Sequence, residues 1–209
     1  DTTELDTTLL DGPWTEQLSD DPRVLSKVRL GKGLIWKLTD EGLPIYDRLL
    51  AVDEVRGRID NCWRPYHAAV AEAVEAAHVR HGYSIHINCH SMPAIAGSHA
   101  TDFPGLAHAD FVIGDRDGST ADPALSQKIC EHLRAHGYSV DYNHPYKGVE
   151  LVRRHGRPAE NRHSIQVEIN RKLYMDEATL ALDEAGAARL QEHLRSLVEM
   201  LLATDPRKG

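Results

Sequence analysis

Two short stretches carry side chains suited to hydrolytic chemistry. One is "HINCHSMP", His86 to Pro93, and the other is "HSIQVEIN", His163 to Asn170. Side chains alternate between the faces of a strand. His86, Asn88 and His90 therefore share one face, opposite Ile85, Ile87 and Cys89. Gln166, Glu168 and Asn170 share another, opposite Ile165, Val167 and Ile169. An imidazole and a carboxylate that converge can serve as a metal ligand and a general base. His90 and Glu168 both fall near the carboxyl ends of their strands, where open α/β sheets bind ligands. The plain alternative is an antiparallel or edge strand with one wet face, where such alternation is routine. The pattern alone leaves both open. Cys89, on the apolar face, is expected in the core rather than in catalysis.

Other polar groups cluster on loops and on one short helix. "NHPYKG", Asn143 to Gly148, puts Tyr146 and Lys147 just after a strand, a common place for binding groups. In "GDRDG", Gly114 to Gly118, Arg116 either grips a carboxylate or pairs with Asp115 or Asp117. Arg153, Arg154, Arg157 and Arg162 form a basic patch, read either as a solvated helix face or as a dicarboxylate site. No HExxH, phosphate loop, GxGxxG or GxSxG is present, which removes most nucleotide enzymes and the common serine-hydrolase arrangement.

The elements that must hold these groups alternate between strand and helix. Residues 1–50 are rich in turn signals, with a short strand expected at "LIWKL", Leu34 to Leu38. Apolar residues at helical spacing run from about Val52 to His81, interrupted by Pro65, where a kink or two abutting helices are expected. Strands come next at Ser84–Cys89, Ala109–Gly114, Tyr138–Asn143 and His163–Asn170, with a loop from Ser91 to Gly105. Asp122-Pro123 starts a helix that Gly137 ends, "VELVRRHG" makes a short one, and residues 183–203 close the chain as an amphipathic helix. This order predicts an α/β layered fold with a mostly parallel sheet, in a single domain over residues 1–209.

The chain has 209 residues, 41% hydrophobic and 27% charged, the composition of an ordinary soluble domain. Its formal net charge of -8 disfavours nucleic acid and anionic membranes as partners. Three cysteines, with no CxxC pair, indicate neither a disulfide framework nor a cysteine zinc site. No apolar run reaches the length of a membrane span. A reduced, cytoplasmic setting is expected.

Taken together, "GKGLIWKL", "LPIYDRLL", "WRPYH", "NCHSMP", "DFVIGDRDG", "NHPYKGVELVRRHGRP" and "HSIQVEINRKLYMDE" resemble the N-formylglutamate amidohydrolase family, in order from the first residues to about Glu177. The resemblance implies a three-layer αβα fold with a mixed, mostly parallel sheet, like that of zinc carboxypeptidase-like hydrolases. It implies hydrolysis of N-formyl-L-glutamate to formate and L-glutamate, late in histidine degradation. One Zn2+ per site would polarise the formyl carbonyl and lower the pKa of its water towards ~7. By the same resemblance His90 matches the last zinc ligand and Glu168 the general base. The substrate is a small anionic N-formyl amino acid, so cationic or polar partners are needed. Arg116, Tyr146, Lys147, Arg153, Arg154 and Arg171 are the candidates.

Family members also carry an upstream segment with a His-Ser-Gly-like motif and an acidic residue, the other two zinc ligands. Those ligands are expected upstream of Asp1, because "DTTELDTTLLDGPW" matches the stretch that in the family comes just after a further Asn-Arg motif. The resemblance thus implies an N-terminally incomplete domain: a shortened form, one whose missing part is a separate segment, or a degenerate paralogue. Such a piece would expose a sheet edge and could form a homo-oligomer. Two other functions stay open: hydrolysis of another N-acyl amino acid or small peptide amide, and non-catalytic carboxylate binding.

Overall fold

The structure is a computed structural model that describes residues 1–39, 42–97 and 103–208. It divides into two compact units, Asp1–Val70 with Gly97–Gly105, and Ala71–Ala96 with Leu106–Gly209.

The first unit is built on Leu5, Leu10, Leu50, Val55 and Ile59, with Trp14, Leu34, Ile35, Tyr46 and Val52 packed around them. Helix α1 (Pro22–Arg29) starts at a proline, so Asp21-Pro22 is a helix start as well as a turn signal. "LIWKL" forms no strand. Its residues make single bridges, Lys32 with Trp36 and Leu38 with Pro44. Helix α2 (Val52–Arg58) continues through one π turn (Ile59–Trp63) into α3 (Arg64–His81). Pro65 lacks the N–H that an unbroken α-helix would need, and the change of register falls just before it.

The second unit holds the sheet. Its strands are β1 (Ser84–Met92), β2 (Phe111–Gly114), β3 (Val140–Tyr142) and β4 (Arg162–Asn170), in the order β1-β4-β2-β3. β1 pairs parallel to β4 and β2 parallel to β3, while β2 and β4 are antiparallel. The sheet is therefore mixed and mostly parallel, as expected. β1 runs past Cys89 because Ser91 and Met92 keep their partners Ile169 and Asn170. The loop expected from Ser91 to Gly105 includes residues 98–102, which lie outside the described residues. Its base is closed by antiparallel bonds, Ala96 N–H to Leu106 O and His108 N–H to Ala94 O.

Helices α4 (Pro123–Ala135) and α6 (Glu184–Leu202) cover one face. Leu125, Ile129 and Leu133 from α4, with Leu190, Leu197 and Leu201 from α6, pack on Phe111, Ile113, Ile165 and Val167. Burial of these side chains supplies most of the unit's cohesion, at about 1.5–3 kcal/mol each for the large aliphatic groups. Helix α5 (Glu150–His155) packs on β1 and β4 from the other side. Among the described residues no helix is long and apolar enough to cross a membrane.

His163 links the sheet to the first turn of α4. It is almost fully buried, and its Nδ1 accepts from the Asp122 N–H (3.1 Å), while the Asp122 carboxylate caps Ala124 N–H (2.8 Å). Only neutral imidazole can accept at Nδ1. Burial holds the His163 pKa below the usual 6.5, with Asp122 opposing. The folded state then binds fewer protons than the unfolded one in this window, so stability is full above about pH 6.5 and is lost as pH falls through the lowered value. Urea midpoints should drop from pH 7 to pH 5, and less steeply in His163→Asn, whose Oδ1 replaces the acceptor without titrating. Parallel pH curves for the two proteins would remove His163 from this role.

Candidate active site

The polar face of β4 is covered, not wet. Ser164, Gln166, Glu168 and Asn170 are all buried; α5 packs on β4, and the Val149 N–H at its entrance reaches Gln166. Buried polar groups need partners, and this row has them. Ser164 Oγ lies 2.8 Å from His86 Nδ1, and Thr120 Oγ1 donates to the Ser164 carbonyl (2.8 Å). Gln166 Nε2 donates to Glu168 Oε1 (2.7 Å), and Asn88 Nδ2 donates to Gln166 Oε1 (3.3 Å). Asn170 turns to structure, donating to the Ala109 carbonyl (3.0 Å) and accepting from Lys172 N–H (3.1 Å).

His90 and Glu168 are brought together. They are direct partners in the parallel β1–β4 register, with His90 Nδ1 3.7 Å from Glu168 Oε1. That distance exceeds a hydrogen bond, so the imidazole and the carboxylate face one another unbonded. The His90 side chain is 41% exposed and the Glu168 side chain only 8%, so the pair opens outward through the histidine. Burial pushes the Glu168 carboxyl up to about 7, against the pull of the Gln166 bond and the Arg171 charge. A base poised near neutrality suits proton transfer at physiological pH. Burial also holds His90 below its ordinary value.

The cationic candidates separate. Arg171, in the turn after β4, lies with Nε 3.5 Å from Ser91 Oγ and Nη1 3.8 Å from Glu177. Its charge is felt at Glu168. Tyr146 packs its ring on His108, with centroids 5.3 Å apart. Lys147 pairs with Asp117 (2.7 Å), and Arg116 pairs with neither Asp115 nor Asp117, donating instead to the Gly148 carbonyl (3.1 Å). Arg153 and Arg154 both turn to Glu150 on their own helix, the pattern of a solvated helix face.

Cys89 is exposed rather than in the core, because β1 is a sheet edge. Three further groups had no signal in the spacing of the sequence. Glu177 accepts from Ala94 N–H (2.8 Å), anchoring the chain beyond β1 beside Arg171. His108 donates from Nδ1 to the Pro93 carbonyl (2.7 Å), and Asp115, just after β2, collects bonds from β3 and α4. Each joins segments far apart in the chain, which periodicity does not reveal.

A sequence model of the N-formylglutamate amidohydrolase family matches residues 3–175. The chain belongs to the N-formylglutamate amidohydrolase family. The N-formylglutamate deformylase of Pseudomonas aeruginosa is 31% identical over 169 residues, 78% of this chain and 61% of that protein. The N-formylglutamate deformylase of Pseudomonas putida is 30% identical over the same shares. The chain thus spans about 61% of the length of these curated relatives. The crystal structure of N-formylglutamate amidohydrolase from Ralstonia eutropha JMP134 superimposes with a TM-score of 0.85 at 43% identity, covering 99% of this chain and 72% of that one.

The donors present do not complete a zinc site. A catalytic zinc takes three protein ligands and an open position. Among the described residues no three His, Cys, Asp or Glu side chains are grouped closely enough to hold a metal ion. His90 beside Glu168 does not by itself make a zinc site.

Proposed function

We propose that the protein hydrolyses N-formyl-L-glutamate to formate and L-glutamate, with Glu168 as general base. The observation that carries this reading is the His90–Glu168 pair, 3.7 Å apart at one strand register, in a chain of this family. Glu168 takes a proton from water as the water oxygen attacks the formyl carbon. It returns that proton to the nitrogen as the carbon–nitrogen bond breaks, so one water is consumed and two products leave. Arg171 is favoured as the partner of a substrate carboxylate because it lies at the same end of β4 as the base. Tyr146 flanks that end from the loop after β3. Arg116, Lys147, Arg153 and Arg154 already have partners in their own surroundings, which supports a lesser role for them.

Zinc belongs to the proposal as a cofactor for which His90 is one ligand. Among the described residues its coordination is incomplete, and the proton transfers above belong to the chain's own side chains. The setting we infer is the cytoplasm, in histidine degradation.

Release of the free amino acid, glutamate or glycine, measured with N-formyl-L-glutamate, N-acetyl-L-glutamate and N-formylglycine tests the substrate. We expect the first to exceed the others by at least about tenfold in kcat/KM, the range over which a pocket discriminates small groups. His90→Ala should lose both this activity and any zinc that the unsubstituted protein retains through dialysis. Equal rates on all three compounds would end the claim of glutamate specificity.

A further inference from the structure

We propose that Gln166 is the positioning residue of this site, holding the Glu168 carboxylate in one orientation and tying it to the loop that enters α5. The inference rests on Glu168 being the base.

An amide side chain has two unlike ends, and here each is committed. Gln166 Oε1 accepts from Asn88 Nδ2 (3.3 Å) on one side and from the Val149 N–H (3.1 Å) on the other. With donors around its oxygen, the NH2 end must face Glu168, and it donates to Oε1 at 2.7 Å. Oε1 is also the oxygen that faces His90. Oε2 makes no hydrogen bond among the described residues and is the oxygen left to take a proton. Gln166 is 2% exposed, so water does not compete for these bonds.

A glycine lets the fold bring Val149 to this place. Gly114 on β2 is the strand partner of Gln166. A Cβ at Gly114 would lie 2.6 Å from the Lys147 carbonyl carbon and 2.8 Å from Gly148 N. The loop backbone occupies the space that a side chain would fill, and this delivers the Val149 N–H to Gln166. The carboxylate is thereby registered both to β1, through Asn88, and to the loop that carries Tyr146. A base held this way starts each turnover in a near-attack orientation, and a displacement of about 1 Å can cost on the order of 10²-fold in rate.

Two variants separate the bonds. Gln166→Met has nearly the same size and no hydrogen bonds; we expect kcat for formate release to fall about 30- to 100-fold, with KM within about threefold. Gln166→Glu keeps acceptors for Asn88 and Val149 but sets a second buried carboxyl against Glu168, so the two share one proton and Glu168 is no longer a free base. It should lose at least as much kcat while the Val149 amide stays protected from hydrogen exchange, protection that Gln166→Met removes. It also carries the test alone should Gln166→Met fold poorly by circular dichroism. In a Glu168→Asp background the shortened carboxylate no longer reaches Gln166, so Gln166→Met should there cost less than about threefold. An equal cost in both backgrounds, or unchanged kcat in Gln166→Met while the unsubstituted protein turns over, overturns the positioning role and leaves the hydrolase reading standing. No formate release from the unsubstituted, zinc-supplied protein overturns that reading and this inference with it.

Discussion

Glu168→Gln is expected to lower kcat for formate release by about 10²–10⁴-fold, the range general-base catalysis supplies, and yet to melt higher than the unsubstituted metal-free protein at pH 8. The two halves have one cause. Glu168 sits in a largely buried row where desolvation outweighs the Gln166 bond and the charge of Arg171, so its carboxyl is pushed up to about 7. A folded-state pKa above the unfolded one means that the folded protein binds the proton more tightly. Stability then falls as pH rises from the ordinary carboxylate value to about 7, and the full penalty persists above it. Glutamine keeps the shape and an acceptor for Gln166 Nε2 and carries no charge to desolvate. The relief should be on the order of 1–3 kcal/mol at pH 8 and vanish near pH 4.

Thermal melts in a chelator at both pH values, beside a formate assay, separate this from damage to the fold. A variant that is inactive because it is misfolded would melt lower at both. A variant that still releases formate at the original rate would remove Glu168 from the chemistry. A site that costs stability where it works is the trade expected of a carboxylate kept out of water for proton transfer.

The alternation of "HSIQVEIN" is legible in the sequence as a strand with one polar face, but not the fact that this face is roofed. A central strand of a mixed sheet and a half-wet edge strand read alike until the position of β4 between β1 and β2 is known. The convergence of His90 with Glu168 is accessible from sequence only as a wager on two strand ends, and the register settles it. The Arg153–Arg154 pair obeys the ordinary helix rule, since Glu150 stands three and four residues before it. "LIWKL" fails as a strand because, among the described residues, the run finds only single bridges and no partner strand in its own unit. Gln166 is on the right face from its parity. Its role needs Asn88, Val149 and Glu168 at once, and no local spacing joins those positions.

Asp115→Ala should be strongly destabilising, lowering stability by about 3–5 kcal/mol and the melting temperature by roughly 10 °C or more. Asp115 is fully buried and its two oxygens accept four bonds. Oδ1 takes Gly118 N–H (2.9 Å) and Asn143 Nδ2 (2.8 Å); Oδ2 takes Ser126 Oγ (2.7 Å) and the Tyr142 hydroxyl (2.6 Å). Burial alone would raise its pKa, but these bonds outweigh it and hold the carboxyl below its ordinary value. Burial, and then the neighbouring carboxylate, hold the Tyr142 phenol well above its own. Alanine would strand the hydroxyls and the amide without an acceptor and would uncouple the end of β2 from α4 and from the end of β3. Tyr142→Phe removes one bond and leaves three, so it should cost only about 1–1.5 kcal/mol. Asparagine at position 115 should fall between them, because its NH2 must face a pair of donors. Urea unfolding of the three variants checks this order. If Asp115→Ala were no worse than Tyr142→Phe, the carboxylate would be a bystander, and the loop from Asn143 to Val149 would owe its place to packing alone. The ordering expected here makes that loop, and through Val149 the orientation of Glu168, depend on a buried charge that never meets the substrate.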